Sequence, residues 1–340
     1  MFLVTVTFPA CSRDTIESWS LGLEEAEAID ALYMAALEAR NAVRELRAPA
    51  FVLIPPNARP GEPVTAAFAF FDDEVYAQAG LHVVLLDSRG RRVARAAFFS
   101  LPAEYEIKTA IFAVPSTAAI GNAIVRIESA EQIIKELPFV IDPREFRSET
   151  IVLDQRNTDL RTLPDPRRTA EAQHVWSIFN RTGTTIYTTE AFILPVSSTR
   201  RTSFFGSRRV FQYVDGSSDT AIHAGVDFGV PTGTEVFASA TGRVVLARNR
   251  LITGYSVILE HLPGIYSLYY HLSVIKVSEG SIVEAGTLLG LSGATGLATG
   301  PHLHWEIRVS GENADPDAFL DRPLLDKNAI MTKLLENENS

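Results

Sequence analysis

Cysteine is almost absent from this chain of 340 residues, which contains only Cys11. A single thiol excludes an intramolecular disulfide and any cysteine-rich metal site, so a metal would have to be held by His, Asp or Glu. Long apolar runs are also missing, and the sequence therefore predicts no transmembrane helix. Basic residues are outnumbered, with 31 Lys and Arg against 41 Asp and Glu. This balance argues against a nucleic-acid partner, which would favour a basic face.

The composition is otherwise that of an ordinary globular protein, with 46% hydrophobic and 9% aromatic residues. The length is sufficient for two or three domains, each with its own core. We divide the chain into six parts: a possible signal or lipid-anchor segment over 1–19, an amphipathic helix over 20–48, a β-sandwich over 50–142, a connecting subdomain or linker over 143–200, a Gly- and Val-rich β domain over 201–322, and a tail over 323–340.

The first segment has two interpretations. Residues 1–10 are apolar and lead directly to Cys11, as at the end of an export signal whose cysteine becomes lipid-anchored. The segment is short for a signal, however, and lacks its basic start. The other interpretation is a buried strand with an ordinary buried cysteine, and the sequence leaves both open.

The hydrophobic period changes twice before residue 200. Apolar residues recur every three or four positions over 20–48, which predicts a helix. Over 50–142 short apolar runs alternate with turn signals such as Pro60-Gly61, which predicts an antiparallel, immunoglobulin-like sandwich. Its one histidine, His82, is interpreted as structural. In the connecting part, residues 168–180 are predicted to form a short helix.

Five of the seven histidines lie between residues 223 and 304. His302 and His304 are two residues apart in an alternating strand pattern, so both imidazoles are expected on one face. Two histidines fill an apolar core poorly, because each ring needs hydrogen-bond partners. The pair is better suited to placing a metal ligand beside a second catalytic group.

His223 and Asp227 are too far apart in a straight strand, about 13 Å, to share an ion. A bend at Ala224 and Gly225 would bring them together, and glycine permits the backbone angle of such a bend. With either His302 or His304, they provide two nitrogens and one oxygen. Three protein ligands leave the fourth position open, as in catalytic zinc sites.

His271 follows a strand of the predicted hairpin with its turn at Pro263-Gly264. With the remaining histidine of the 302/304 pair, it is placed to orient water or transfer protons. Two further residues are given no catalytic role. His261 is interpreted as structural or at the rim, and Glu306 either holds a histidine ring or is neutralised by Arg308.

Three spaced motifs carry a family resemblance: HAGVD (223–227), YYHLS (269–273) and GPHLHWEIR (300–308). In this order they resemble the motifs of the M23 zinc metallopeptidases, a family that includes lysostaphin and LytM-like endopeptidases. The resemblance covers about residues 203–320. It implies Zn²⁺ bound by His223, Asp227 and His304, with His271 and His302 as the catalytic histidines.

The resemblance also implies an activity, which is zinc-dependent hydrolysis of peptide bonds in bacterial peptidoglycan. The partners would be peptidoglycan peptides, and the location would be the cell envelope. The fold expected is mainly β: an N-terminal helix, an antiparallel immunoglobulin-like β-sandwich, and a C-terminal antiparallel β metallopeptidase domain.

Two other function classes compete with this interpretation. One is a non-catalytic envelope regulator or wall-binding module that activates another hydrolase, since some family members have lost ligands; here all five positions are present. The other is a biotin or lipoyl carrier domain, whose hairpins the stretches 231–245 and 279–290 resemble. A carrier needs a lysine on an exposed turn, and the only lysine between 203 and 320 is Lys276, in a strand-like, β-branched context.

Overall fold

The computed structural model describes residues 50–69, 80–101, 107–130, 132–181 and 183–338. The predicted segment 1–19 with Cys11 and the predicted helix over 20–48 lie outside these residues. In the described ranges, no helix is long and apolar enough to cross a membrane.

The part of the chain predicted as a sandwich forms two β-sheets around one core. The first sheet has the strand order β1-β3-β7-β6 and the second β2-β9-β8-β4-β5. In chain order these strands are β1 (Ala50–Ile54), β2 (Asn57–Ala58), β3 (Pro63–Ala69), β4 (His82–Leu86), β5 (Arg92–Ala97), β6 (Phe99–Ser100), β7 (Ile107–Ala113), β8 (Gly121–Glu128) and β9 (Ile133–Ile141).

The alternating pattern of these strands places apolar residues between the two sheets. Phe112 of the first sheet packs against Phe139 of the second, with ring centroids 6.3 Å apart. Val64 and Val83 belong to the same buried cluster. All pairings are antiparallel except that of β2 with β9. The immunoglobulin-like topology stays a prediction.

The connecting part contains one strand and two helices: β10 (Ser148–Val152), α1 (Gln155–Thr162) and α2 (Pro166–Phe179). Helix α2 corresponds to the helix predicted over 168–180 and begins two residues earlier. Asp165 caps its N-terminus by accepting a hydrogen bond from the Arg167 amide, and Pro166 suits the first helical position.

The C-terminal part is built from short strands in three sheets, ordered β10-β12-β13, β11-β14-β22-β18-β17-β16-β20 and β15-β21-β19, with β23 beside β22. Strand β10 pairs in parallel with β12, so the connecting part is joined to this domain. The remaining strands are β11 (Arg201–Ser203), β12 (Arg208–Gln212), β13 (Ser218–Ile222), β14 (Val226–Phe228), β15 (Glu235–Phe237), β16 (Gly242–Arg250), β17 (Gly254–Leu262), β18 (Ile265–Leu272), β19 (Val274–Ile275), β20 (Ile282–Val283), β21 (Leu288–Leu291), β22 (Leu303–Val309) and β23 (Glu312–Ala314).

A 3₁₀ turn (Pro316–Phe319) ends the part predicted over 201–322, and the stretch predicted as a tail, 323–340, contains helix α3 (Lys327–Glu338). Helix α3 packs on β1 and β3. Its buried residues Ile330 and Leu334 belong to one apolar cluster with Val52 of the first sheet and Trp305 of β22. The two halves of the described chain therefore share a core.

Candidate metal centre

Two paired strands carry two of the residues predicted to bind metal. Asp227 on β14 and His304 on β22 are direct partners in the antiparallel pairing of these strands. His223 lies in the short connection between β13 and β14. The sheet thus places Asp227 and His304 side by side, and the connection before β14 adds the third side chain.

The bend predicted before Asp227 is present, but the reason given for its glycine is wrong. Gly225 does not have a positive φ angle. A Cβ atom at this position would instead lie 2.2 Å from the carbonyl oxygen of Trp305. Glycine is therefore needed because the bend passes directly against the backbone of β22. The bend brings the side chain of His223 close to that of Asp227.

Three side-chain atoms converge at this point. His223 Nε2 lies 3.1 Å from Asp227 Oδ1 and 3.0 Å from His304 Nδ1. His304 Nδ1 lies 2.8 Å from the same Asp227 oxygen. All three residues are buried. Among the described residues they form the one cluster of at least three His, Cys, Asp or Glu side chains arranged to hold a metal ion.

Hydrogen bonds fix which nitrogen of each ligand histidine faces the cluster. His223 donates from Nδ1 to the Phe204 carbonyl oxygen at 2.9 Å, which leaves the Nε2 lone pair directed at the cluster. His304 faces the Glu306 carboxylate with Nε2 at 3.3 Å, which leaves Nδ1. A carboxylate or carbonyl behind a histidine ring is the usual support of a metal ligand.

The donor set fits zinc. Two imidazole nitrogens and one carboxylate oxygen are zinc ligands, and donors on a zinc tetrahedron lie about 3.3 Å apart. The observed separations of 2.8–3.1 Å are close to this value. Asp227 has one oxygen available, because Arg209 Nη2 donates to the other, Oδ2, at 2.7 Å. Asp227 and His304 also line a cavity.

The two histidines predicted as catalytic lie together beside this cluster. The rings of His271 and His302 are 4.7 Å apart, centroid to centroid. His271 donates from Nδ1 to the Thr295 carbonyl, and His302 from Nδ1 to the Gly300 carbonyl, each at 2.8 Å. Each ring therefore keeps Nε2 free for another partner. His302 Nε2 lies 3.9 Å from Asp227 Oδ1.

The protonation of the metal-free site reflects burial and neighbouring charge. Burial, then the nearby His302 and His304, lower the pKa of His271 to about 3. Burial acts the same way on His304, but hydrogen bonds to Asp227 and Glu306 outweigh it and raise its pKa to about 9. Burial opposes the charged form of Asp227, yet the histidines beside it hold its pKa well below the ordinary value.

A cavity of about 340 Å³ opens over the cluster. One side is formed by the loop 297–302, and the other includes Phe211 of β12 together with Glu149 and Ile151 of β10. Helix α1 is attached to the loop, because Asn157 Nδ2 donates to the Ala298 carbonyl at 3.2 Å. The connecting part thus contributes to the walls of the candidate site.

Three other predicted assignments can be located. His261 is fully buried, with hydrogen bonds to the Thr241 carbonyl and Ser267 Oγ. Both alternatives for Glu306 occur together, because its carboxylate faces His304 and also accepts a hydrogen bond from Arg308. His82, at the start of β4, contacts the Gly80 carbonyl.

Comparison with known proteins connects this geometry to a family. Residues 221–316 match peptidase family M23. The peptidoglycan DD-endopeptidase ShyA of Vibrio cholerae is 42% identical over 118 residues, which is 34% of this chain and 27% of that protein. The DD-carboxypeptidase/endopeptidase Mpg of Neisseria meningitidis serogroup B is 40% identical over 95 residues, 28% of this chain and 22% of that protein.

The fold likeness extends beyond the matched residues. A Pseudomonas aeruginosa structure named for peptidase M23 has a TM-score of 0.51 at 23% identity and covers 78% of this chain and 95% of that one. At this identity the likeness concerns the fold alone. The alignments span only about a quarter of the length of the curated relatives.

Proposed function

We propose, because residues 221–316 form a domain of peptidase family M23, that this protein is a zinc-dependent endopeptidase that hydrolyses peptide bonds in bacterial peptidoglycan. The observation that carries the proposal is the convergence of His223, Asp227 and His304, whose ligand atoms all lie within 4.8 Å of one another, beside a cavity lined by Asp227 and His304. An incomplete ligand shell facing solvent is typical of catalytic rather than structural zinc.

His223, Asp227 and His304 would hold the ion. Zinc, when bound there, supplies a Lewis acid that polarises the scissile carbonyl and activates the attacking water. Glu306 keeps His304 oriented, since its carboxylate faces Nε2 of that ring at 3.3 Å. The remaining steps, orienting water and moving protons, fall to other side chains.

His271 and His302 are the residues for those steps. Each ring is fixed by a hydrogen bond from Nδ1 to a backbone carbonyl. Their Nε2 atoms are left as hydrogen-bond acceptors, placed to orient an attacking water or to take a proton from it. The pKa of His271 in the metal-free site, about 3, means that this ring is neutral at pH 7, with the Nε2 lone pair available.

The substrate class is inferred from the relatives. ShyA is named a peptidoglycan DD-endopeptidase and Mpg a DD-carboxypeptidase/endopeptidase, and the residues that match the family include all five site positions of this chain. The same inference places the protein in the cell envelope. The lipid anchor at Cys11 stays a prediction, which mass analysis of the N-terminal peptide from a membrane fraction would test.

The experiment combines metal analysis with digestion of purified peptidoglycan. We expect about one zinc per chain and release of new peptide ends that a chelator suppresses and added zinc restores. His223→Ala should lose both the metal and the activity. His82→Ala is the matched control, because this histidine lies in the sandwich and both properties should be kept.

The outcomes separate the competing classes. Zinc binding without any cleavage by the wild-type protein would favour the regulator or wall-binding module. Retention of stoichiometric zinc and full activity by His223→Ala would contradict the ligand assignment.

A further inference from the structure

One arginine connects the candidate metal ligand to a different part of the chain. Arg209, on β12, donates from Nη2 to Asp227 Oδ2 at 2.7 Å and to Ser203 Oγ at 2.8 Å. Its Nε donates to Glu149 Oε2 at 3.3 Å. Ser203 also donates to Glu149, at 2.7 Å. The guanidinium is therefore held in a fixed orientation between two carboxylates.

Arg209 and Glu149 both lie outside the residues that match the family. The match begins at residue 221, whereas Arg209 belongs to β12 and Glu149 to β10. The parallel pairing of these strands places Glu149 directly opposite Arg209. The connecting part of the chain thus reaches the ligand Asp227 through two side chains, in addition to forming a wall of the cavity.

The contact restricts how Asp227 can bind an ion. A free carboxylate can rotate and offer either oxygen, or both, to a metal. With Oδ2 bonded to Arg209, only Oδ1 faces His223 and His304. The arginine also places a positive charge beside a site for a dication, which opposes metal binding. Glu149 offsets that charge.

We propose that Arg209 is a positioning residue for the metal ligand Asp227, and that Glu149 holds Arg209 and supplies the compensating charge. The inference rests on the proposed zinc site. It extends that site to Arg209 and Glu149, and it assigns the connecting part, through Glu149, a role in metal binding.

Arg209→Lys tests the orientation at constant charge. Lysine cannot bridge Asp227, Ser203 and Glu149 together, because its ammonium is a single compact donor group. We expect zinc affinity, measured by competition with a chromophoric chelator, to fall about 10–100-fold, as is typical when a group supporting a ligand is removed. The visible spectrum of the cobalt-substituted protein should also change, because Asp227 is then free to bind differently.

Glu149→Gln tests the charge while keeping the shape. It leaves Arg209 uncompensated beside the ion, and zinc affinity should again fall about tenfold or more. Because Glu149 acts through Arg209, the double variant should lose less than the sum of the two single losses. Arg248→Lys and Glu279→Gln are the controls, since Arg248 on β16 and Glu279 in the turn before β20 form the same type of ion pair at an exposed place.

A purely structural ion pair would give a different pattern. The melting temperature of the metal-free variants would fall, but zinc affinity and the cobalt spectrum would match the wild type, and that result would overturn the inference. If the wild-type protein itself bound no zinc, the proposed function would fail instead. If Arg209→Lys did not fold, Glu149→Gln, at a half-buried position, would still test the inference through its zinc affinity.

Discussion

At the scale of single residues, His271 has an unusual backbone. Its φ angle is +60°, in the left-handed region that residues other than glycine seldom adopt. Such conformations cost about 1–3 kcal/mol and cluster at functional sites. Here the conformation occurs at the second-last residue of β18, and the imidazole lies beside that of His302, at a ring separation of 4.7 Å.

We expect His271→Asn to separate catalysis from metal binding. Asparagine tolerates the left-handed region, so the backbone should be kept while the proton-accepting ring is lost. Activity on peptidoglycan should fall about 10²–10⁴-fold, with zinc content unchanged by metal analysis. Loss of the metal would mean that His271 is a ligand. Wild-type activity in the variant would mean that His271 takes no part in catalysis.

His261 should make stability depend on pH. Burial lowers its folded-state pKa from 6.5 to about 4, although its hydrogen bond to the Thr241 carbonyl opposes this. Between pH 4 and pH 6.5 the imidazole of His261 is protonated in the unfolded chain but neutral in the folded one. The contribution of His261 to the free energy of unfolding is therefore complete above pH 6.5 and is lost as the pH falls towards 4, by on the order of 3 kcal/mol.

The measurement is chemical denaturation of the metal-free protein at pH 7 and pH 4.5. The free energy of unfolding should decrease more in the wild type than in His261→Gln, which cannot titrate. His174→Gln, at a half-exposed position on α2, should behave as the wild type. Parallel decreases in all three proteins would exclude His261 as the source.

The sequence predicts the metal ligands better than the residues that hold those ligands in position. The strand pattern places His302 and His304 on one face, and the resemblance of the motifs to the M23 family, not their spacing, selects His304 as the ligand. Arg209 and Glu149 are 60 residues apart, and no periodic pattern links them. Only the parallel pairing of β10 with β12 brings them together, and β10 lies in the part predicted as a connecting subdomain or linker.

At the scale of elements, the approach of the bend at Gly225 to β22 controls the site. In Gly225→Ala the new Cβ would lie 2.2 Å from the Trp305 carbonyl oxygen, a contact that backbone atoms cannot accommodate without moving. We expect a loss of about 1–3 kcal/mol or more in the free energy of unfolding. Zinc affinity should fall as well, because His223 and Asp227 flank the bend.

Gly300→Ala is the control for this prediction. A Cβ at Gly300 would meet no atom within 4 Å, and its φ angle is not positive. Thermal denaturation and zinc titration should therefore give values close to the wild type. Equal effects of the two substitutions would show that close approach is not what requires glycine at 225.

The start of α2 predicted at residue 168 is two residues later than the observed start, where Asp165 caps the helix and Pro166 takes its first position. The turn predicted at Pro263-Gly264 lies between β17 and β18. The parallel pairing of β10 depends on contacts distant in the chain, so no local signal indicates it. The carrier-like hairpins also belong to this fold, with Lys276 directly after β19.

At the scale of the whole molecule, the sandwich and the metal-binding domain share an apolar core. We therefore expect a single cooperative unfolding transition. Leu334→Ala, which creates a cavity beneath α3 where the leucine is fully buried, should cost about 2–5 kcal/mol. When zinc release and the loss of sandwich structure are both followed during thermal unfolding, the temperatures of the two transitions should shift together.

Lys333→Ala is the matched control on the same helix, because the side chain of Lys333 is 55% exposed. It should leave the transition within about 0.5 kcal/mol of the wild type. Two separate transitions, with only one shifted by Leu334→Ala, would mean that the halves unfold independently.

The packing of α3 on β1 has a consequence during protein synthesis. β1 is the first described strand to leave the ribosome, and α3 is the last described element. The apolar surface of β1 that α3 covers therefore stays exposed to water until residues 327–338 have also left the ribosome, and such surfaces favour aggregation. The same delay applies to the apolar core that α3 shares with β22, the strand of His304. We expect the candidate metal site to reach its final stability only after α3 has emerged and packed on β1.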